Sequence, residues 1–592
     1  MKIKFFFSIF IRTLNLLWHI SPRHLLGISI LSCLSGLMTP LGLLIWQNIV
    51  NIITKLLQFS LDVRSLYYWL FFNMLFYLLI MVIGNVILFI IQYIQRIYSG
   101  LIEKYIVLKL FEKLSSFSLE MYDDSDLYNE IQKADAETAS RSLSMIQTLI
   151  KSIQYISTFL GTISILSILS PLLVVVSIIT SFPIFVSSFK ILNKLFYVYN
   201  SRCEKLRFSQ EIKEILINYN NIKEVKMLNC SKFLLSKLND IYKQNTTEDK
   251  YIYKKLTKCN SFIAILDNLF NVFLKLVTII LSIKNLLEIG TILMYVSSID
   301  TLKETTKNIL SQLSSTYEDC LYLQSFFYIM DYKVIEQDKD IFNGKITSVE
   351  FQDVTFHYPN NDKPTLKNIS FTLNCNKSYA IIGLNGSGKT TLIKLLCNLY
   401  HPISGQILIN GVDINKYENK SIVSHISTLF QDYIRYPLTI RENIAIGNIS
   451  HINDDNFIHK CSKFSNMYKY ICSLPQKLDT KVSKGWSNGT ELSGGQWQQL
   501  AISRTLMKGG DVLIFDELDS SLDINIQHRL FDQLDELKNG HICIFTTHKI
   551  ENLKAADEII VLNGGELESI GNHNELIKKS KIYQNILNMN KE

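Results

Sequence analysis

The stretch YAIIGLNGSGKTTL, residues 379–392, decides how this chain is read. Tyr379 to Ile382 is a short apolar run with the composition of a buried strand, and the residues after Lys389 open a helix. Between them, Gly383, Gly386 and Gly388 let successive backbone N–H groups curl around phosphate oxygens at the positive end of that helix, with Asn385 and Ser387 in the same turn. Lys389 reaches the terminal phosphates, the Thr390 hydroxyl suits Mg²⁺, and Thr391 continues the first helical turn. A glycine-rich turn by itself is weak evidence. With Lys-Thr in place between strand and helix, it predicts a P-loop that holds ATP.

A second apolar run, Val512 to Phe515, ends in Asp516-Glu517. Two acids at the carboxyl end of a buried strand in such a domain suit a metal's water shell, for Asp516, and the polarising of an attacking water, for Glu517. Short β-branched runs alternate with helical patterns from about residue 346 onward, which predicts an α/β sheet domain.

Ahead of it the composition changes. The chain has 592 residues, 48% hydrophobic and 19% charged, and the charge-poor stretches lie almost entirely before residue 310. A membrane-spanning helix needs about 20 apolar residues. Leu25 to Thr54 carries no charge except the terminal Lys55 beyond it, and Ser65 to Gln95 carries none; these are two spans. The uncharged stretch from Ser152 to Lys190 is too long for one helix, and Ser170-Pro171 divides it into two. Two further spans fall near 261–283 and 287–308. Six spans put both ends of the chain on one side, and the Lys/Arg-bearing segments at 1–23 and 96–113 make that side the cytoplasm. The polar stretches between spans two and three, and four and five, keep helical periodicity, so they extend the spanning helices into the cytosol and reverse near Tyr122 to Asn129 and Asn218 to Glu224.

The expected layout is therefore an amphipathic interfacial helix at 1–24, a six-helix membrane domain at 25–310, a connector at 311–345 and a nucleotide-binding domain at 346–592. Net charge is +7, but the basic residues are scattered and form no block with interleaved aromatics, which argues against nucleic acid as a partner. The 10 cysteines include no CxxC pair and no Cys/His spacing for zinc, consistent with reduced cytosolic thiols.

Between the P-loop and the acid pair stands LSGGQ, residues 492–496, and with it the chain resembles the ABC transporter family. The resemblance implies a multi-domain membrane protein, a type IV ABC exporter with an all-α transmembrane domain followed by an α/β P-loop ATPase domain, seated in the cell membrane. It implies that Ser493, Gly494, Gly495 and Gln496 contact the γ-phosphate of ATP held by a second subunit, so that two copies of the chain form a homodimer. It also carries Gln431 over as the Q-loop residue touching Mg²⁺ and water, and His548 as the switch histidine. Tyr358 matches the aromatic that stacks on adenine, and Asp523 the D-loop crossing the dimer interface. Leu518-Asp519 replaces the family's usual Pro-Thr or Pro-Ser, and Lys484 to Glu491 lacks its Gly-Glu-Arg-Gly.

Within exporters, FQDYIRYPLTIREN (430–443), LSGGQWQQ (492–499) and DLYNEI (126–131) make the chain similar to exporters of lantibiotics and related ribosomally made peptides. With the first span near residue 25, no N-terminal peptidase is expected, so leader removal would fall to a separate protease, and a modification enzyme is a further possible partner. A lipid or multidrug exporter shares every motif, and an ABC-derived channel or regulator is a more distant alternative. In the spans, Asp267 and Lys275 lie about 80° apart around one helix, and Asp300 can meet Lys275 if their depths match. The expectation is that these residues line the translocation path and contact a charged peptide, or else form a structural pair between helices.

Overall fold

The computed structural model describes residues 2–58, 63–333, 339–359, 361, 363–483, 489–518, 522–547 and 549–589. They form two units, 1–117 with 125–333, and 118–124 with 334–592.

The first unit is helical. α1 (Lys2–Ile20) precedes α2 (Pro22–Leu57) and α3 (Val63–Ser115). After the single turn α4 (Leu119–Tyr122), the chain runs through α5 (Ser125–Leu169) and α6 (Pro171–Ser201), broken at Ser170 where the sequence places the turn. α7 (Cys203–Ile217) and α8 (Tyr219–Met227) make the second reversal, and α9 (Ser231–Lys284) and α10 (Ile289–Asp331) complete the unit. Pro22 and Pro171 open their helices, where the missing N–H costs nothing. Among the described residues, α2, α3, α5 and α9 are each long and apolar enough to cross a membrane, and the apolar part of α6 is a shorter Pro171–Ser187. α10 is interrupted in its apolar stretch by Asp300, Lys303, Glu304 and Lys307.

Small residues set the helix crossings, because apolar surface gives no net drive to associate in lipid and close van der Waals contact must supply it. A Cβ at Gly36 of α2 would stand 2.3 Å from the Gln154 carbonyl oxygen of α5, and one at Gly161 of α5 would stand 2.6 Å from Cγ of Pro40. The same crossing is tied by the Thr158 hydroxyl, which donates to the Gly36 carbonyl at 2.7 Å. At the other end of the chain's helical order, the carboxylate of Asp331 takes both guanidinium donors of Arg12 at 2.6 and 2.7 Å, fixing α1 to the end of α10.

The second unit is α/β. A four-stranded antiparallel sheet has the order β2-β1-β4-β5, with β1 Ser348–Phe356, β2 Leu366–Asn374, β4 Ser404–Ile409 and β5 Val412–Asp413. A six-stranded sheet has the order β10-β9-β3-β8-β7-β6, from β3 Lys377–Ile382, β6 Ile426–Leu429, β7 Val512–Phe515, β8 Ile542–Thr546, β9 Glu558–Asn563 and β10 Glu566–Gly571. β6, β7, β8, β3 and β9 run parallel. All residues of β7 and β8 are buried, which explains why Val512 to Phe515 and Ile542 to Phe545 read as apolar runs. Residues 118–124 belong here too: Tyr400 donates its hydroxyl to Asp123 at 2.7 Å, and the His401 N–H donates to Glu120 at 2.8 Å.

Candidate functional site

The site lies at the carboxyl ends of β3, β8 and β7, where a parallel sheet leaves a crevice. β3 feeds directly into the Gly383–Gly388 turn and then α11 (Lys389–Leu396). Gly386 and Gly388 have φ of +80° and +101°, which side chains other than glycine's rarely adopt, and a Cβ on Gly388 would press on Leu366 at 2.6 Å. The turn is curled around its own lysine: Lys389 Nζ donates to the carbonyls of Gly383 at 2.8 Å and Leu384 at 3.3 Å. That leaves a ring of backbone N–H groups and an ammonium at a helix N-terminus, the arrangement a polyphosphate needs. Burial lowers the Lys389 pKa, opposed by the charges of Asp516 and Glu517.

The acids are not on the strand next to the P-loop, because β8 lies between β3 and β7. Asp516 is 3% exposed. Its Oδ1 accepts from the Thr546 hydroxyl at 2.7 Å, whereas its Oδ2 is buried with no hydrogen-bond partner among the described residues. Burial pushes this carboxyl above the usual range, against the bond from Thr546 and the charge of Lys389. An orphaned carboxylate oxygen facing the P-loop lysine in charge terms suits a hydrated cation, so the donor set of Asp516 and Thr390 fits Mg²⁺. Glu517 has a left-handed backbone, φ +52°, and its Oε2 accepts from Gln431 Nε2 at 2.8 Å. Gln431 and Glu517 are thus in contact.

Tyr358 stands against the strand core beside the P-loop. Its ring meets Phe356 and Tyr400 edge-on at 5.2 and 5.3 Å, and its hydroxyl bonds Thr391 Oγ1 at 3.1 Å. Ser493 caps the helix Gly494–Lys508 with a full capping box, its hydroxyl taking the Gln496 N–H while Gln496 Oε1 takes the Ser493 N–H at 2.9 Å. The side chains of Ser493 and Gln496 therefore brace the helix end, and Gly494 and Gly495 form its open first turn. Asp523 holds the N-cap position of the helix Ile524–Leu537 without a side-chain cap bond. His548 lies outside the described residues, as do Asp519 and residues 484–488.

In the helical unit, Lys275 Nζ and Asp300 Oδ2 meet at 2.7 Å across α9 and α10, and Asn271 Nδ2 donates to Asp300 Oδ1 at 2.9 Å. Asp267 does not join them. It is 4% exposed and bound by Lys303 at 2.7 Å and Lys307 at 2.5 Å.

Four residues escaped the sequence reading. Lys303 and Lys307 were visible only as charges interrupting a span, four apart and so on one face of α10, a spacing that does not name Asp267 of α9 as their partner. Gln498, buried at 2%, donates from Nε2 to the carbonyls of Glu517 at 3.2 Å and Leu518 at 3.0 Å. Thr546 stood out only as a polar residue closing an apolar strand.

Residues 366–520 match the family described as ABC transporter. Residues 497–551 also match an AAA domain described as a putative AbiEii toxin of a type IV toxin–antitoxin system, a region that begins inside the signature helix. The chain is 29% identical over 500 residues to the subtilin transport ATP-binding protein SpaT of Bacillus subtilis, covering 83% of this chain and 81% of that protein. It is 25% identical over 580 residues to the nisin transport ATP-binding protein NisT of Lactococcus lactis subsp. lactis, covering 97% and 95%. Among solved structures, a bacterial Atm1-family ABC exporter with ATP bound superposes with a TM-score of 0.79 at 20% identity, over 96% of this chain and 98% of that one. This last likeness bears on the fold.

Proposed function

From the premise that the chain belongs to the ABC transporter family and couples ATP hydrolysis to export across a membrane, we propose that its cargo is a ribosomally made peptide of the lantibiotic type. The observation that carries this is similarity over 83% and 97% of the chain to proteins named for subtilin and nisin transport, lengths that take in membrane helices as well as the ATPase domain.

In this reading ATP sits on Gly383 to Thr391, with Tyr358 against the adenine. Thr390, Gln431 and the Oδ2 of Asp516 would hold hydrated Mg²⁺, which would offset phosphate charge when bound. Glu517 orients and deprotonates the attacking water, and His548 contacts the γ-phosphate. Each chain has one P-loop and one signature. Ser493, Gly494, Gly495 and Gln496 of one copy therefore close the nucleotide of a second copy, and Asp523 crosses the interface between them. Closing and releasing that pair drives alternating access of the helices. Helices α2, α3, α5, α6, α9 and α10 supply six spans within 25–310, 311–345 connects to the ATPase domain at 346–592, and residues 1–24 lie on the inner membrane face, both ends being cytoplasmic.

Lys275 and Asp300 line the path. Their pair is partly exposed, at 31% and 47% of the side chains, and a half-exposed ion pair in a span needs water rather than acyl chains beside it. A separate leader protease or a modification enzyme would act before or after passage. The test is uptake into inverted membrane vesicles. ATP-dependent accumulation of nisin- or subtilin-type precursor peptides supports the reading, whereas ATP-dependent movement of a fluorescent phospholipid with no peptide uptake rejects it in favour of a lipid exporter.

A further inference from the structure

We propose that Thr546 is a positioning residue for ATP hydrolysis, its hydroxyl fixing both acids at the end of β7, and that this chain depends on it for turnover rather than for nucleotide binding. The inference rests on Glu517 acting as the base, as read above.

Strand β8 lies between the P-loop strand and the acid strand, and Thr546 is its last residue. It pairs with Ile381 of β3 on one side, while the register with β7 matches Phe545 to Phe515 on the other, bringing the next residue beside Asp516. Its side chain is fully buried. The hydroxyl donates to Asp516 Oδ1 at 2.7 Å and accepts from the Glu517 N–H at 2.7 Å. A threonine hydroxyl has one proton and two lone pairs, so one group can do both only in this sense.

Two consequences follow for the reaction. Holding Oδ1 of Asp516 turns Oδ2, the oxygen without a partner among the described residues, into the one offered to a cation's water shell. Holding the Glu517 N–H helps to keep its backbone at φ +52°, a conformation a glutamate enters only when its surroundings impose it. The opposite edge of that same peptide turn is gripped by Gln498, through the carbonyls of Glu517 and Leu518. Glu517 is thus aimed from both sides, by a hydroxyl on its N–H and an amide on its carbonyl. Neither Thr546 nor Gln498 need touch the nucleotide to do this.

The experiment compares Thr546→Val, which keeps the shape and deletes the hydroxyl, with Thr546→Ser, which keeps the hydroxyl and deletes a methyl. Both are made in the full chain in lipid nanodiscs. Mg-ATPase kcat and KM are measured together with equilibrium binding of a fluorescent ATP analogue. A misplaced base costs on the order of 100-fold in rate, so kcat of Thr546→Val should fall roughly 30- to 100-fold while KM and analogue binding stay within about threefold. Thr546→Ser should remain within about threefold of the parent kcat. Wild-type turnover in Thr546→Val overturns the proposal. So does an equal loss in Thr546→Ser, which would make the methyl's packing the cause, or a loss of analogue binding in parallel with rate. Should Thr546→Val fail to fold, Thr546→Cys, with a weak S–H donor, replaces it, and parent-like turnover there overturns the proposal. Glu517→Gln run alongside separates the two readings: if it keeps its turnover, the base assignment fails whatever Thr546 does.

Discussion

The buried charges of α9 and α10 allow a double-mutant cycle whose order can be worked out in advance. The side chains of Asp267 and Lys303 are 3% and 4% exposed, and that of Lys307 is 35% exposed. Lys303 has two contacts, the Asp267 carboxylate at 2.7 Å and the Asp267 backbone carbonyl at 3.1 Å. Replacing Asp267 by Asn leaves an enclosed ammonium with a carbonyl and an amide, and stranding one member of a buried pair costs about 3–5 kcal/mol. Replacing Lys303 by Met is milder, about 1.5–3 kcal/mol, because Lys307 still answers the carboxylate and what is lost is one charged hydrogen bond. The double variant removes both enclosed charges and leaves Lys307 with a route to water. It should therefore be more stable than Asp267→Asn alone, which takes a coupling of about 3 kcal/mol, enough to exceed the cost of Lys303→Met by itself. The assay is heat-induced loss of the monodisperse protein in detergent, read as a midpoint temperature. With about 2–4 °C per kcal/mol for sizeable domains, Asp267→Asn should fall by roughly 6 °C or more and the double variant should recover part of that. Strictly additive shifts, or an unchanged midpoint in Asp267→Asn, would refute the reasoning.

Replacing Glu517 by Gln should lower ATP turnover at least about 100-fold with ATP still bound, since a positioned base contributes about 10²–10⁴; phosphate release and ATP-analogue binding measured together check it. Gly36→Ala should destabilise the protein by about 1–3 kcal/mol of overpacking, because its new methyl meets Gln154 O and Ser157 Cβ at 2.3 and 2.7 Å, whereas Gly27→Ala, with open space around it, should leave the thermal midpoint unchanged. Burial pushes Asp319 of α10 up to about 6, opposed by Arg141. A raised carboxyl favours the fold while protonated and loses that contribution as pH climbs from about 4 through about 6, about 3 kcal/mol in all, of which about 1.4 kcal/mol falls between pH 5 and pH 7.5, so midpoints should drop over that interval. Asp319→Asn should flatten that part of the profile in a pH series.

Much of the fold was legible because the physics is local. A proline after an uncharged run marks the break between α5 and α6 at Ser170, and buried parallel strands announce themselves as β7 and β8 do, by having no polar residue to offer solvent. The P-loop and the signature were legible for the same reason, since a backbone that wraps phosphate must be built from consecutive residues. What could not be read is what depends on neighbours distant in sequence. Asp267 was grouped with Lys275 by its place on one helix, yet its partners Lys303 and Lys307 come from the next helix, and no periodicity within α9 specifies the register of α10 against it. Asp300 did meet Lys275, because there the pairing needed only equal depth.

The two acids at the end of β7 make the same point at shorter range. Their identity follows from a strand that ends in Asp-Glu, but their orientation follows from which strand lies beside it. Insertion of β8 between β3 and β7 puts the end of a third strand within hydrogen-bonding distance of both acids. There a side chain can choose which carboxylate oxygen is left free and hold a glutamate in a backbone conformation it would not adopt alone. A motif lists the groups that react; the strand order decides which other residue aims them. An ATPase of this kind can therefore keep every motif residue and still lose its rate through a single hydroxyl outside them, while its affinity for nucleotide, set by the contiguous P-loop, stays intact.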